Sequence, residues 1–424
     1  MKNLNKFTIL GVSLFFLLIT SCKSMQGNSK TTVLEQPGED SVNEYVISEV
    51  MRQALADTPR KYIRGIHLSQ WVSGPTKLRN AAIELFNETE LNTAVITIKE
   101  MEGQVYIDGV KTANEIGAYF NAIPNIKQYL KQLKDNDVYT VARMVVFRDD
   151  LMTRKKPSTA VKNPDGTIWV DRKGIAWLDP YNQDARNYNL EIAERAAELG
   201  FDEIQFDYIR FPSDGPTRNC RYKNKNHNAA DASDAIVEFL KQANERLKPK
   251  GVKISIDVFG LTTTARDDMG IGQRIVEMSE WVDYVSPMVY PSHYAKGEYG
   301  IEDPNKSPYE TVYIAMEGAL RRIPAEKLRP WLQDFSMGHK YGKDEVRAQI
   351  QACYDNEIGD WLLWNPRCIY TREALKEKKS GVDRSFEKSN PPTTLMIRTQ
   401  ERLERLERLE RLEREKAEKS ETGK

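Results

Sequence analysis

Short apolar runs alternate with stretches of helical periodicity between about residues 61 and 375, and this alternation restricts the fold more than any other feature of the chain. Two helical stretches, 184–199 and 231–247, repeat apolar side chains at helical intervals, and Gly200 ends the first. Eight strands alternating with helices over about 315 residues predict an α/β protein of the (β/α)8 type, a TIM barrel. The predicted strands are 63–71, 93–99, 138–146, 203–209, 253–259, 282–290, 329–335 and 361–366.

A doubly wound parallel sheet would also alternate strands with helices. Such sheets that bind nucleotides carry a Gly-rich turn after a strand, and the chain offers only Gly270-Ile271-Gly272, which is too short to count. We therefore expect the barrel, and no cofactor.

Side-chain alternation predicts which residues face the barrel axis. In the fourth strand Glu203, Gln205 and Asp207 share that face, and in the fifth strand Ser255 and Asp257 share it. Barrel axes are normally filled by branched apolar residues, so inward polar groups indicate chemistry near the mouth. By the same rule, which a bulge would reverse, the inward residues of the first two strands are His67, Ser69, Trp71, Val95, Thr97 and Lys99.

The first 22 residues have the pattern of an export signal. Lys2 and Lys6 precede an apolar run at 7–19, which is shorter than the roughly 20 residues a membrane span needs. The run closes on Ile19-Thr20-Ser21-Cys22, which resembles the bacterial lipobox and predicts lipidation of Cys22. We expect a lipoprotein anchored outside the cytoplasm, on the periplasmic side or the cell surface. An ordinary secretory signal with a chance cysteine is the alternative.

The remaining chain divides by composition. Residues 23–60 are predicted to form a tether with a short helix, 61–375 the barrel, 376–400 a linker, and 401–424 a charged helix. In the Arg-Leu-Glu repeats at 402–413 a leucine every third residue winds around a helix and makes no straight seam, which disfavours a coiled coil. This helix is predicted to be isolated; docking to a partner or to the envelope is the alternative.

Charge and metal-binding residues exclude other classes. The 62 basic and 62 acidic residues balance, which argues against a nucleic-acid partner. Four cysteines exclude a disulfide scaffold, although Cys353 and Cys368 form a possible pair. No metal site is predicted, and a zinc deacetylase is disfavoured, because no metal-ligand spacing occurs among the histidines. These are His67, His227, His293 and His339.

Several segments resemble a known family. They read WLDPY at 177–181, GFDEIQFDYIRFP at 200–212, WVDYVSPMVYP at 281–291 and RPWLQDF at 329–335. The chain resembles a bacterial family of glycoside-hydrolase-like barrel proteins, long described as a domain of unknown function. The resemblance covers nearly all of 61–375 and implies a barrel acting on carbohydrate. Where such proteins typically carry Asp-Val-Lys-Asp on the second strand, this chain has Thr97-Ile98-Lys99-Glu100, so a role for the first carboxylate does not carry over.

Cleaving a glycosidic bond requires two carboxyl groups. Asp207 is predicted to be the nucleophile or base, and Asp257, on the neighbouring strand, to be the acid. The competing interpretations are a salt bridge from Asp207 to Arg210 and a polar network of Asp257 with Ser255 or Lys99. Glu203 lies deeper in the barrel and is predicted to form an ion pair at its floor. The reserve acids are Asp334, Glu100 and Glu298.

Sugar binding needs flat rings and hydrogen-bonding side chains. The predicted substrate-binding residues are His67, Trp71, Lys99, Arg143, Tyr208, Arg210, Tyr290, Gln333 and Trp364, with Trp331 and Asn365 as further candidates. His67 could equally be a buried structural histidine. The segment 147–180, with a hairpin turn at 163–166, and the segment 290–310 are predicted to wall the cleft.

The sequence thus predicts a glycoside hydrolase acting on a polysaccharide or oligosaccharide outside the cytoplasm, with membrane contact through the lipid only. A non-catalytic glycan-binding or scaffolding barrel is the alternative, since the fold alone does not decide between them. No oligomeric state is predicted.

Overall fold

The computed structural model describes residues 62–378, 386–389 and parts of 391–411. The predicted signal peptide with Cys22, the tether at 23–60 and most of the repeat helix at 401–424 lie outside these residues and stay predictions. Within the described ranges, no helix is both long enough and apolar enough to cross a membrane.

Eight parallel strands in the described part of the chain close into a barrel in sequence order, with β8 paired to β1. The predicted barrel fold is therefore confirmed. The strands are β1 (Arg64–Leu68), β2 (Thr93–Lys99), β3 (Tyr139–Val145), β4 (Glu203–Asp207), β5 (Lys253–Phe259), β6 (Tyr284–Met288), β7 (Trp331–Gln333) and β8 (Trp361–Trp364). The second and fifth strands have the predicted bounds, and the others are shorter than predicted.

Helices connect the strands around the barrel. They are α1 (Gln70–Ser73), α2 (Lys77–Glu88), α3 (Lys111–Glu115), α4 (Ile126–Asp135), α5 (Asp150–Lys155), α6 (Gln183–Leu199), α7 (Ala229–Leu247), α8 (Ile275–Ser279), α9 (Pro308–Leu320) and α10 (Lys343–Asp355). The Asn182 side chain caps α6 by accepting from two backbone N–H groups, and Gly200 ends it with φ at 98°. The predicted helix stop at Gly200 is confirmed.

The two faces of β4 divide the core into two layers. Ile204 and Phe206 face outward, and Phe206 packs against Phe239 of α7 with ring centroids 5.2 Å apart. The barrel axis holds a separate apolar cluster. Its buried members are Ile63, Val95, Val141, Tyr290, Trp331 and Leu362.

The deep end of the axis holds a closed ion pair. Both terminal nitrogens of Arg329 donate to the Glu203 carboxylate, and neither side chain is exposed to solvent. The hydroxyls of Tyr139 and Ser255 also donate to this carboxylate. The floor ion pair predicted for Glu203 is therefore confirmed, and its charge is fully compensated.

Cys353 and Cys368 do not form the disulfide that their spacing left open. Both are buried free thiols. Cys353 lies in α10 within the core, whereas the Cys368 sulfur accepts a hydrogen bond from the Ser69 backbone N–H at 3.3 Å. Each thiol is packed in its own surroundings, and no disulfide joins them.

Candidate active site

A cavity of about 550 Å³ opens at the carboxyl ends of the strands, where barrel enzymes place their chemistry. Most of its walls come from the ends of β4, β5 and β6 and from the loops that follow them. The lining residues are Glu100, Met101, Arg143, Asp207, Tyr208, Arg210, Asp257, Phe259, Gly260, Leu261, Met269, Met288, Tyr290, His293, Tyr294, Trp331 and Trp364.

Three carboxyl groups surround the guanidinium of Arg143 in this cavity. Its Nη2 donates to Asp207, its Nη1 lies 3.5 Å from Glu100, and its Nε lies 3.9 Å from Asp257. The salt bridge considered between Asp207 and Arg210 is therefore wrong. Arg143 is level with Gln205 on the neighbouring strand, so its long side chain reaches the end of β4. Its donors orient acidic groups of the protein, which differs from the substrate contact predicted for it.

The backbone turns sharply directly after Asp207. Tyr208 has a φ of 50°, a left-handed conformation that costs a non-glycine residue about 1–3 kcal/mol and is concentrated at functional sites. The Tyr208 backbone N–H donates to Asp207 Oδ1 at 2.6 Å. This turn fixes the carboxylate against Arg143 and brings the Tyr208 ring to the cavity.

Asp257 is buried in a setting that favours its protonated form. Burial and the nearby charge of Asp207 raise its pKa well above the ordinary value, and the opposing effects of Arg143 and Trp331 are smaller. The Trp331 indole N–H donates to Asp257 Oδ1 at 2.7 Å. The polar network considered for Asp257 is wrong, since Ser255 donates to Glu203 and Lys99 pairs with Asp149.

A bulge in β2 exchanges the predicted positions of Lys99 and Glu100. Thr97 pairs with Arg143 but Lys99 pairs with Met144, so the register shifts between them. Lys99 is fully buried, with its Nζ 2.8 Å from Asp149, and it does not line the cavity, contrary to the prediction. Glu100 occupies the cavity instead, where burial raises its pKa. The bulge allows both side chains to find partners of opposite charge.

Arg210 lines the cavity and is surrounded by aromatic rings. Its guanidinium carbon is 4.5 Å from the ring centroid of Phe259, 4.8 Å from that of Trp177 and 4.9 Å from that of Tyr208. Burial lowers its pKa to about 10. Within the described residues it forms no ion pair with a carboxylate, so it is a buried cation facing the cavity.

The other predicted aromatic residues divide into lining and supporting groups. Tyr290 and Trp364 line the cavity, as does Trp331. His67 stacks behind Trp364 with ring centroids 4.0 Å apart, and its Nε2 lies 2.9 Å from the Thr97 hydroxyl. Burial and the charge of Arg143 hold the His67 pKa well below 6.5, so this neutral ring supports the wall and does not line it.

Gln333 and Trp71 are not brought to the cavity. Gln333 accepts from the Ser292 backbone N–H at 3.1 Å and donates to the Phe335 carbonyl at 2.8 Å, so its amide holds two loops together. The first strand ends at Leu68, where Ser69 begins the short α1. The inward position predicted for Trp71 is therefore wrong: it is 56% exposed, with Phe120 as its ring neighbour.

The reserve acids other than Glu100 also lie outside the lining. Asp334 accepts from the backbone N–H and the hydroxyl of Thr371, and so fixes the loop after β8. Glu298 lies in a short 3-10 turn of the loop that follows β6. Asn365 donates to the Asp334 carbonyl. Their positions leave Asp207, Asp257 and Glu100 as the carboxyl groups that line the cavity.

Of the two segments predicted as cleft walls, 290–310 lines the cavity and 147–180 does not. The turn at 163–166 is confirmed, with the Gly166 N–H donating to the Asn163 carbonyl. However, no residue of 147–180 lines the cavity. Trp177 instead packs behind Arg210 and Tyr208. The segment 290–310 does form a wall through Tyr290, His293 and Tyr294. Sequence reasoning missed Met101, Phe259, Met269 and Met288, and of these Phe259, the last residue of a predicted strand, could have been found.

The closed barrel and its acidic mouth are those of the glycoside hydrolase class of (β/α)8 proteins. Residues 65–370, well over half of the chain, match a family described as "Putative glycosyl hydrolase domain", and the chain belongs to this family. No curated protein is significantly similar to it.

Several solved structures are similar to this chain, and the first named here shares its fold. The glycoside hydrolase domain of PgaB (BpsB) from Bordetella bronchiseptica is 13% identical, with a TM-score of 0.57 over 76% of this chain and 100% of that one. A hypothetical protein from Ruminiclostridium thermocellum is 38% identical over 46% of this chain and 97% of its own, with a TM-score of 0.42. The α-galactosidase TtGalA from Thermus thermophilus is 10% identical over 73% and 59%, with a TM-score of 0.46.

Proposed function

We propose that this protein is a glycoside hydrolase that cleaves a polysaccharide or glycan outside the cytoplasm, with Asp207 and Asp257 as its catalytic carboxyl pair. One observation carries the proposal. Two buried aspartates line the same cavity and share Arg143, and burial together with the charge of Asp207 raises the pKa of Asp257 well above its ordinary value. An acid and a base in one site need different pKa values, and unequal environments of two carboxyl groups produce that difference.

Asp257 is the proton donor in this proposal. Its raised pKa favours the protonated carboxyl group, from which the proton passes to the glycosidic oxygen as the bond to the leaving sugar breaks. Once the proton is gone, Arg143 and the Trp331 N–H stabilise the carboxylate. Asp257 returns to its starting state by taking a proton from water.

Asp207 acts on the anomeric carbon of the sugar. As a nucleophile its carboxylate forms a bond to that carbon, and as a base it takes a proton from a water molecule that does so. Each oxygen of the Asp207 carboxylate accepts one hydrogen bond, Oδ1 from the Tyr208 N–H and Oδ2 from Arg143, and these two bonds fix its orientation in the cavity wall. The rings of Tyr290 and Trp364 offer flat surfaces on which a sugar can stack.

The test is release of reducing ends from a panel of bacterial and environmental polysaccharides by the full-length protein in detergent. We expect Asp207→Asn to lower turnover by about 10⁴-fold or more and Asp257→Asn by about 10²–10⁴-fold, since each removes one half of the acid–base pair. Both amides keep the shape of the side chain, so thermal unfolding should still be cooperative.

Asp334→Asn is the matched control, because Asp334 is also a buried aspartate just beyond a strand end but its carboxylate contacts Thr371. It should keep turnover close to that of the unsubstituted protein. Full turnover in Asp207→Asn would exclude that residue as catalytic. Glycan binding without any release would favour the non-catalytic binding barrel.

The location outside the cytoplasm is a separate part of the proposal and rests on residues 1–22. Cys22→Ser should move the protein out of the membrane fraction and abolish incorporation of labelled fatty acid, because the acylated thiol would be missing. Ser21→Ala is the control and should leave both unchanged. Membrane association that survives Cys22→Ser would contradict the lipid anchor.

A further inference from the structure

One edge of the Arg210 guanidinium, formed by Nε and Nη2, makes no hydrogen bond to a described residue. Its Nη1 donates to the Phe211 carbonyl at 2.9 Å and to the Ser213 hydroxyl at 3.0 Å. Nε and Nη2 donate to no residue in the described ranges, although the side chain is only 7% exposed and lines the cavity. These two nitrogens are open to the cavity, so they are placed to donate to a ligand of opposite charge there.

The free edge has the geometry of a carboxylate receptor. Nε and Nη2 of a guanidinium point in parallel and match the two oxygens of a carboxylate. The rings of Phe259, Trp177 and Tyr208 surround the guanidinium and hold it in place. Preorganised donors in such a setting bind an anion more tightly than a mobile surface arginine would.

Arg148, next to the same Tyr208 ring, shows how this edge behaves when a carboxylate is supplied by the protein. Its Nε donates to Asp171 Oδ2 at 2.8 Å, and its Nη2 lies 2.6 Å from the same atom. Arg143, within the cavity, is likewise occupied by carboxyl groups of the chain. Arg210 also lines the cavity, but no carboxylate of the described residues lies within ion-pair distance of it, and Asp207 and Asp214 act on it only from farther away.

We propose that Arg210 binds the carboxylate of an acidic sugar unit in the substrate through its free Nε and Nη2 edge. The inference rests on the proposed function and adds the substrate class to it: a glycan carrying carboxyl groups. The carboxylate can belong to a uronic acid or to a lactyl ether on an amino sugar, since both present the same two oxygens.

The experiment compares acidic glycans with their carboxyl-reduced counterparts. The uronate probes are oligosaccharides of polygalacturonate and hyaluronan, and the lactyl probe is peptidoglycan strands freed of peptide. Affinity is measured by calorimetry with the full-length protein carrying Asp207→Asn, so that no probe is consumed. Release of reducing ends is measured separately with the protein that retains Asp207.

We expect at least one acidic probe to bind about 10- to 100-fold more tightly than its reduced counterpart, as for a charge-assisted pair of hydrogen bonds. Adding Arg210→Gln should remove this difference and leave affinity for the reduced probe unchanged. Arg210→Lys, which keeps the charge but loses the fork, should retain part of it. If Arg210→Gln does not fold, Arg210→Lys and the paired probes still decide the result.

The outcomes separate this inference from the proposed hydrolase activity. Equal affinity for acidic and reduced probes, or no binding of any acidic probe, overturns the inference, even where neutral glycans are cleaved. Arg210-dependent binding of an acidic probe that is never cleaved supports the inference and contradicts the hydrolase. An equal loss of affinity for both members of a pair in Arg210→Gln also overturns it, because a merely structural arginine would give that pattern.

Discussion

Glu203 and Asp207 lie four residues apart on the same face of β4, yet their surroundings differ in charge balance. At the barrel floor one carboxylate meets one guanidinium, and two hydroxyls complete its hydrogen bonds. At the mouth one guanidinium is shared by three carboxyl groups. The balanced pair stabilises the barrel, whereas the unbalanced cluster holds one acid in its protonated form. At the mouth, buried carboxyl groups outnumber the cations that compensate them, and this imbalance indicates that the candidate active site lies at this end of β4.

The largest difference between the two ends should appear in stability. Glu203→Gln leaves the Arg329 charge buried without its counterion and should lower the free energy of unfolding by about 3–5 kcal/mol. Asp207→Asn should change it by about 1 kcal/mol or less, since Arg143 keeps two other carboxyl neighbours. Urea unfolding of both variants at one pH makes the comparison. Equal losses would mean that the mouth cluster is structural.

The pH dependence of stability sharpens the comparison. The Asp257 pKa is higher in the folded than in the unfolded chain, so between the two values the folded state binds more protons. Asp257 therefore destabilises the protein as pH rises above about 4, by about 1.4 kcal/mol per pH unit until its folded pKa is passed. Asp257→Asn removes this loss and should be more stable than the unsubstituted protein at pH 7.

Urea unfolding at pH 4 and pH 7 checks this sign. Asp334→Asn should show the same sign to a smaller extent, because burial also raises the pKa of Asp334. Turnover should depend on the same proton, falling at alkaline pH as Asp257 ionises. At each pH, the stability of Asp257→Asn is compared with that of the unsubstituted protein. If this difference is less favourable to the variant at pH 7 than at pH 4, Asp257 is ionised in the folded protein and the assigned sign is wrong.

The smallest expected effect concerns the indole of Trp331. The Trp331 indole N–H donates to Asp257 Oδ1 and stabilises the ionised carboxylate more than the protonated acid. Trp331→Phe removes this N–H. The Asp257 pKa should rise further, so the alkaline limb of the turnover profile should move to higher pH. Turnover at neutral pH should change by about tenfold or less, as expected for one hydrogen bond. Movement of the limb to lower pH would contradict the assigned contact.

Several features of the site could be predicted from the sequence. The alternation in β4 and β5 depends only on the two-residue repeat of extended backbone, which placed Asp207, Asp257 and Glu203 on the axis. The strand ends also indicated Tyr290 and Trp364. Trp71 and Lys99 were misplaced because a helix cap at Ser69 and a bulge after Thr97 interrupt that repeat. The cap is a local contact between the Ser69 hydroxyl and the Val72 N–H, whereas the bulge appears only in the pairing of β2 with β3.

The sequence by itself determined the barrel, the inward face of its fourth and fifth strands and the aspartate pair. These follow from local periodicity, which a chain carries before it folds. Only the tertiary structure decided which arginine serves which carboxylate. Asp207 pairs with Arg143, 64 positions away, and not with Arg210, three positions away, because barrel closure sets adjacent strands side by side. It also decided that the pKa of Asp257 is raised, since the burial and the neighbouring charge that raise it exist only in the folded molecule.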